Sequence, residues 1–122
     1  MNVIDSSVWI AYTEESAEAE EAEKYFQKAD QVMVPTLVIH EVYRQLLKKL
    51  DRQEAIFYVG QMEKGKVVPL DQEIALFAAE IRRQHGLGTA DAVIYATALI
   101  HDAPLVTLDN DFRNLPQCVM LG

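Results

Sequence analysis

Cysteine is almost absent from this chain. The single cysteine, Cys118, cannot form a disulfide within the chain, so a disulfide framework is excluded, and we interpret it as a core residue. Long apolar runs are also missing, because every apolar stretch is short and interrupted by charges, which excludes a membrane span. The N-terminus lacks the basic flank and the apolar run of a signal peptide. These absences predict a cytoplasmic protein without a membrane partner.

Glycine and histidine are too sparse for several common kinds of site. The chain has five glycines and no glycine-rich phosphate loop, which argues against a dinucleotide fold. The three histidines show no metal-ligand spacing, which argues against zinc. No Gly-x-Ser-x-Gly segment is present for a hydrolase triad. An aspartyl phosphatase would need a second aspartate two residues after Asp5, where this chain has Ser7.

Basic residues are outnumbered, which is unusual for a protein that binds nucleic acid. The chain has 11 Lys and Arg against 19 Asp and Glu, for a net charge of −8. Six of the acidic residues are concentrated between Glu14 and Glu23, however, so the acidity is local. The net charge therefore neither excludes nor supports an RNA partner.

A regular alternation of short apolar segments and helical segments is present instead. The 122 residues, half of them hydrophobic, predict a single domain over 1–122. We predict strands at 2–4, 32–34, 67–68, 104–108 and 119–121, helices at 6–12, 16–29, 36–50, 52–63, 72–85 and 89–100, and a turn or short helix at 109–114. The expected N-caps are Ser6 or Ser7, Thr36 and Asp71, with Gly86 ending a helix. Alternating strands and helices imply an α/β fold with a mainly parallel central sheet covered on both faces.

Four acidic residues from distant parts of the chain are expected to meet at one edge of this sheet. Asp5 and Asp109 follow predicted strands, Glu41 lies in the helix after the second strand, and Asp91 lies in the first turn of a helix that is apolar nearly all round. Ligands bind outside the carboxyl ends of the strands in open α/β sheets. Acids packed there without a cation would repel one another, and all-oxygen ligation suits Mg²⁺ or Mn²⁺. Such an ion can activate water for attack on a phosphodiester.

These aspartates, and Asp111 beside them, also have ordinary structural explanations. Asp5 could cap the helix that follows it, and its position alone supports cap and ligand equally. Asp91 could complement the helix dipole as a first-turn acid, although an aspartate on an apolar helix needs some partner. Asp109 and Asp111 could be turn residues. No single acid identifies the site.

Glu41 shares a polar helix face with Arg44 and Lys48. Taken alone, it is better explained as a solvated surface residue that pairs with these cations, in contacts worth about 0.2–0.5 kcal/mol. If Glu41 instead faces a metal, Arg44 and Lys48 are candidates for contacts to RNA phosphates on either side of the cut. The sequence leaves both alternatives open.

Four segments together resemble the PIN-domain family: Val-Ile-Asp-Ser-Ser-Val-Trp-Ile at 3–10, Pro-Thr-Leu-Val-Ile-His-Glu-Val at 35–42, Thr-Ala-Asp-Ala-Val-Ile-Tyr-Ala-Thr-Ala at 89–98 and Leu-Val-Thr-Leu-Asp-Asn-Asp-Phe at 105–112. Their order and spacing agree over essentially the whole chain. The resemblance implies a three-layer α/β/α fold with a catalytic and metal-binding acidic quartet, Asp5, Glu41, Asp91 and Asp109. It also implies an auxiliary metal ligand, Asp111, and two residues that orient the acids or the attacking water, Ser7 and Thr107.

Within that family, short chains of this kind are most similar to VapC-type toxins of toxin–antitoxin pairs. The similarity implies an Mg²⁺-dependent (or Mn²⁺-dependent) endoribonuclease that forms a homodimer and is silenced by a small antitoxin protein. Two alternatives stay open: a housekeeping PIN nuclease that processes or degrades RNA without an antitoxin, and a non-catalytic PIN scaffold that binds RNA or protein. The intact quartet argues against the scaffold, and a small antitoxin gene immediately upstream would separate the first two.

Overall fold

Five short segments rich in branched side chains form one parallel sheet in the computed structural model, which describes residues 1–122. The strands are β1 (Asn2–Ile4), β2 (Val32–Pro35), β3 (Lys66–Val68), β4 (Leu105–Thr107) and β5 (Cys118–Met120). Their order across the sheet is β3-β2-β1-β4-β5, and every neighbouring pair is parallel. Val3 pairs with Met33 on one side and with Leu105 on the other, so β1 is central.

The order in which strands are added to the sheet changes direction between β1 and β4. The chain proceeds from β1 to β2 and β3 on one side, and then returns to place β4 and β5 on the other. Such a switch point opens a crevice at the carboxyl ends of the two strands beside it. The ends of β1 and β4, just before Asp5 and Asp109, therefore border that crevice.

Six helices flank the sheet, as predicted for a three-layer α/β/α arrangement. They are α1 (Ser6–Thr13), α2 (Ala17–Phe26), α3 (Thr36–Leu46), α4 (Arg52–Met62), α5 (Gln72–His85) and α6 (Thr89–Ile100). Two 3-10 turns lie at Ala29–Gln31 and Asn110–Phe112. Every residue from Ala92 to Ala98 is buried, which confirms α6 as a central element. No helix has both the length and the apolar character that crossing a membrane requires.

The ends of α5 follow local chemistry. The Asp71 side chain accepts a hydrogen bond from the backbone N–H of Ile74 at 2.9 Å, and Gly86 ends the helix in the left-handed conformation, with φ of 71°. Both predicted caps are confirmed. The left-handed Gly86 sets the short connection from α5 into α6, and with it the position of Asp91.

Two other predicted caps are wrong, because their strands run directly into the following helices. Asp5 and Pro35 occupy the N-cap positions of α1 and α3, and neither helix has a side-chain capping bond. Ser6 and Thr36 are the first helical residues instead, and the Thr36 hydroxyl accepts from the backbone N–H of Leu70. Helix α3 also ends at Leu46, four residues earlier than predicted.

Candidate active site

The site is built around Asp5, which ends the central strand and begins α1. Asp5 is 3% exposed, and its Oδ2 accepts hydrogen bonds from Ser7 Oγ and Thr107 Oγ1, both at 2.8 Å. Each hydroxyl in turn accepts a backbone N–H: Ser7 from Leu108 at 3.1 Å and Thr107 from Asp109 at 2.9 Å. Because these N–H groups occupy one lone pair of each hydroxyl, the hydroxyl protons are directed toward Asp5. Oδ1 of Asp5 accepts no side-chain hydrogen bond.

Burial dominates the electrostatics of Asp5. Loss of solvent raises the pKa of its carboxyl, and the hydrogen bonds from Thr107 and Ser7 oppose that rise, while the charge of Asp109 adds to it. A buried carboxylate is tolerated when hydrogen-bond donors surround it. Asp5 occupies the N-cap position of α1, but its side chain makes no capping hydrogen bond, so capping does not account for this carboxylate.

Glu41 is held across the fold by Ser6. Its Oε1 accepts a hydrogen bond from Ser6 Oγ at 3.0 Å, and the residue is half-buried in the second turn of α3. Burial raises the pKa of Glu41, the hydrogen bond from Ser6 opposes this, and the charge of Asp5 raises it further. Glu41 is therefore not a freely solvated surface residue. It also makes no ion pair, since the one salt bridge of the chain joins Lys49 and Glu14.

Asp91, Asp109 and Asp111 form the tightest group of acids. One carboxylate oxygen from each lies within 4.8 Å of the others. Oδ1 of Asp109 accepts the backbone N–H of Asp111 at 2.9 Å and so begins the 3-10 turn at Asn110–Phe112. The turn explanation for Asp109 is correct for this oxygen, while its Oδ2 is left for other contacts. Asp111 is exposed, and its carboxylate joins those of Asp91 and Asp109 in this cluster.

The charges of all the other candidate acids raise the pKa of Asp91. Its pKa is raised to about 7, first by burial and then by the charges of Asp109, Asp5, Glu41 and Asp111. The five carboxylates thus form one electrostatic group at the carboxyl ends of β1 and β4. Asp91 accepts no side-chain hydrogen bond, so its charge has no donor to stabilise it.

The donor set fits a hard divalent cation. Asp5, Glu41 and Asp109 each have one oxygen held by hydrogen bonds and a second without a side-chain donor. Carboxylate oxygens are the ligands that Mg²⁺ and Mn²⁺ prefer. A cation would also remove the mutual repulsion that raises the pKa of Asp91.

The two candidate phosphate-binding cations lie in different environments. Arg44 is exposed in α3, three residues after Glu41, and its charge lowers the pKa of that carboxyl. Lys48 is exposed in the turn beyond the end of α3, so it does not share a helix face with Glu41. Phosphate contacts by either residue stay a prediction, with Arg44 the better placed.

The role of Ser6 at the site is not evident from its local sequence, which predicts a helix cap at this position. The one local signal is a hydroxyl beside Asp5 at the start of a helix. The partner of Ser6 is 35 residues away, on another helix. Only the packing of α1 against α3 brings the two side chains together.

Comparison with known proteins identifies the family. The family model described as PIN domain matches residues 3–117. The sequence has no significant match among curated proteins.

Solved structures share the whole fold at low sequence identity. A chain of a toxin–antitoxin complex from Klebsiella pneumoniae is 22% identical, with a TM-score of 0.85 over 98% of this chain and 97% of that one. A chain of a DNA-bound VapBC complex from Salmonella typhimurium is 17% identical, with a TM-score of 0.74 over 98% and 97%. VapC20 from Mycobacterium tuberculosis, a toxin that cleaves the sarcin–ricin loop, is 16% identical, with a TM-score of 0.74 over 92% of each chain.

Proposed function

The chain belongs to the PIN-domain family, and on that premise we propose that it is an Mg²⁺- or Mn²⁺-dependent endoribonuclease. One observation carries the proposal: five carboxylates converge at the switch point of the sheet, and Asp91 is surrounded by the charges of the other four. The reaction would add water across a P–O bond of an RNA phosphodiester.

The residues of the chain have separable roles in this proposal. Asp91, Asp109 and Asp111 would hold a cation, with Asp5 and Glu41 completing the ligand set on the side of α1 and α3. The bound ion would supply an activated water and neutralise charge that develops on the phosphodiester.

Hydroxyl groups and a cation complete the arrangement. Ser7 and Thr107 keep Oδ2 of Asp5 occupied and so fix which oxygen is available. The exposed Arg44 would contact a phosphate beside the cut, with Lys48 further along the RNA.

RNA cleavage with Mg²⁺ or Mn²⁺ tests the chemistry in the native chain and in Asp5→Asn and Asp91→Asn. Each variant keeps the side-chain shape but loses a charge at the site, so we expect cleavage to fall by about 100-fold or more while the fold is retained. Asp30→Asn is a matched control, because Asp30 is exposed and precedes β2, at the opposite edge of the sheet. Activity that survives both substitutions, or persists in excess EDTA, would contradict the mechanism.

We also propose that the chain is the toxin of a VapBC-type pair and binds a small antitoxin protein. The toxin–antitoxin complexes among its structural neighbours support this partner. A groove of about 450 Å³ with aromatic walls is available between α1, α2 and α4; its rings are Trp9, Tyr12, Phe26 and Tyr58. Helix α2, which lines the groove through Phe26, carries the exposed glutamates Glu20, Glu21 and Glu23, so a basic, amphipathic segment would fit.

An antitoxin encoded immediately upstream should inhibit RNA cleavage when it is mixed with the purified chain. Cleavage that is unaffected by that product, or the lack of such a gene, would favour a nuclease that acts in RNA processing or decay without an antitoxin.

A homodimer is part of the same proposal. Phe57 is 64% exposed and Ile56 is 44% exposed, so two adjacent large apolar side chains of α4 face solvent. A second copy of the chain would bury this apolar surface. Phe57 is not buried in the core, whereas Tyr43 and Tyr58 are partly buried against it.

A further inference from the structure

Ser6 makes a hydrogen bond that its position in the helix does not require. It is the first residue of α1, and its hydroxyl donates to Glu41 Oε1 at 3.0 Å. It does not cap α1, since the helix has no side-chain capping bond. The hydroxyl therefore bonds a carboxylate of the acidic cluster and does not stabilise the end of its own helix.

Two adjacent serines reach two different carboxylates. Ser6 donates to Glu41, whereas Ser7 donates to Asp5. Successive residues of an α-helix point about 100° apart. Because α1 contacts both α3 and β4, one serine can face the glutamate on α3 while the next faces the end of the sheet.

Ser6 supplies the only side-chain hydrogen bond to Glu41. Glu41 makes no ion pair, so no other side chain restrains its carboxylate. A glutamate side chain has several rotatable bonds, and it loses conformational freedom when it is held in one geometry. The hydrogen bond to Oε1 restricts the Glu41 side chain before any ligand binds, so less freedom is lost on binding. It leaves Oε2 without a side-chain donor.

We propose that Ser6 is a positioning residue, which acts through Glu41 to prepare that carboxylate for a divalent cation. The inference rests on the proposed function only in assuming that the acidic cluster binds such a cation. Residues that hydrogen-bond to metal ligands typically change metal affinity by about 10–100-fold when they are removed. Ser6 would be such a residue, because it donates to Glu41 Oε1.

Direct binding of Mn²⁺ to the full chain without RNA, measured by calorimetry or by electron paramagnetic resonance, tests the proposal. We expect Ser6→Ala to weaken Mn²⁺ binding by about 10-fold, and Ser6→Thr, which keeps the hydroxyl, to stay within about 2-fold of the native chain. Thr13→Ala is the matched control. It removes a hydroxyl from the same helix, where Thr13 bonds only the carbonyl of Ile10, so binding should not change.

A double-mutant cycle separates action through Glu41 from a general loss of structure. Ser6→Ala should have no further effect in a Glu41→Ala background, because the carboxylate that it positions is already gone. Equal weakening by Ser6→Ala and Thr13→Ala, failure of Ser6→Thr to rescue, or full additivity with Glu41→Ala would each overturn the positioning role. Failure of the native chain to bind Mn²⁺ would instead overturn the proposed function.

Discussion

Hydroxyl groups control the carboxylates of this site at the scale of single residues. Asp5 is almost fully buried, and burying a charged group is costly unless donors surround it. Ser7 and Thr107 provide those donors, and backbone N–H groups of the β4 end orient both of them. Loss of either hydroxyl should therefore lower the free energy of unfolding as well as the activity of the site.

Thr107→Val keeps the shape of a fully buried side chain and removes its hydroxyl. The Asp5 carboxylate loses a donor and the Asp109 N–H loses its acceptor, so we expect the free energy of unfolding to fall by about 1–3 kcal/mol. Urea denaturation at neutral pH measures the change. Thr107→Ser, which retains the hydroxyl, is the control and should lose less. A valine variant as stable as the native chain would show that these bonds contribute nothing net.

Direct strand-to-helix connections position the acids at the scale of secondary-structure elements. Asp5 is the only residue between β1 and α1, and no residue separates β2 from α3. Connections this short leave little conformational freedom. Asp5 and Glu41 are therefore carried on rigid elements, and small residues at the other tight connections should matter for the same reason.

Gly60 and Gly65 should respond in opposite directions to alanine. Gly60 lies inside α4 with open space where a Cβ would be, so Gly60→Ala should stabilise the protein by about 0.5–1 kcal/mol through helix propensity. A Cβ on Gly65 would lie 2.8 Å from the Val32 carbonyl oxygen, so Gly65→Ala should destabilise it by about 1–3 kcal/mol.

Thermal unfolding of the two variants, side by side with the native chain, checks the signs. If both substitutions stabilise the protein, the backbone near Val32 yields more easily than its close approach to Gly65 indicates.

At the scale of the whole molecule, burial and charge repulsion at the acidic cluster together make stability depend on pH. The net charge is −8, and five of the acids are concentrated in one cluster. The pKa of Asp91 is raised to about 7 from 3.8, so between these pH values the folded chain binds more protons than the unfolded chain. The free energy of unfolding of the metal-free protein should therefore fall as pH rises from about 4 to about 7, and change little from this group above that.

Asp91→Asn should flatten this pH dependence, because the variant has no proton to lose at that position. We also expect millimolar Mg²⁺ to raise the melting temperature of the native chain at pH 8, since a ligand that binds only the folded state stabilises it. The variant should start from a higher metal-free melting temperature and gain less from Mg²⁺. Thermal unfolding from pH 5 to 8, with EDTA or Mg²⁺, measures both effects; parallel pH curves for the two chains would contradict this account.

Most of the fold was predictable from the sequence by itself, because local interactions decide it. The alternation of apolar segments with helical ones placed all five strands and six helices, and Asp71 and Gly86 marked both ends of α5. The candidate acids were identified for a similar reason, since Asp5 and Asp109 follow strands and Asp91 interrupts an apolar helix. The length of α3 was less predictable, because its apolar stripe continues past Leu46, where the helix ends.

Only the tertiary structure decided which atoms of the site interact. Thr107 and Asp5 are 102 residues apart, and Ser6 and Glu41 are 35 apart, so no local pattern links them. The sequence alone favoured Glu41 as a solvated partner of Arg44, whereas the packing of α1 against α3 half-buries it beside Ser6. The chain determined that acids would gather at the edge of the sheet. Burial and hydroxyl donors from distant segments determined which oxygen of each acid is held and which is free.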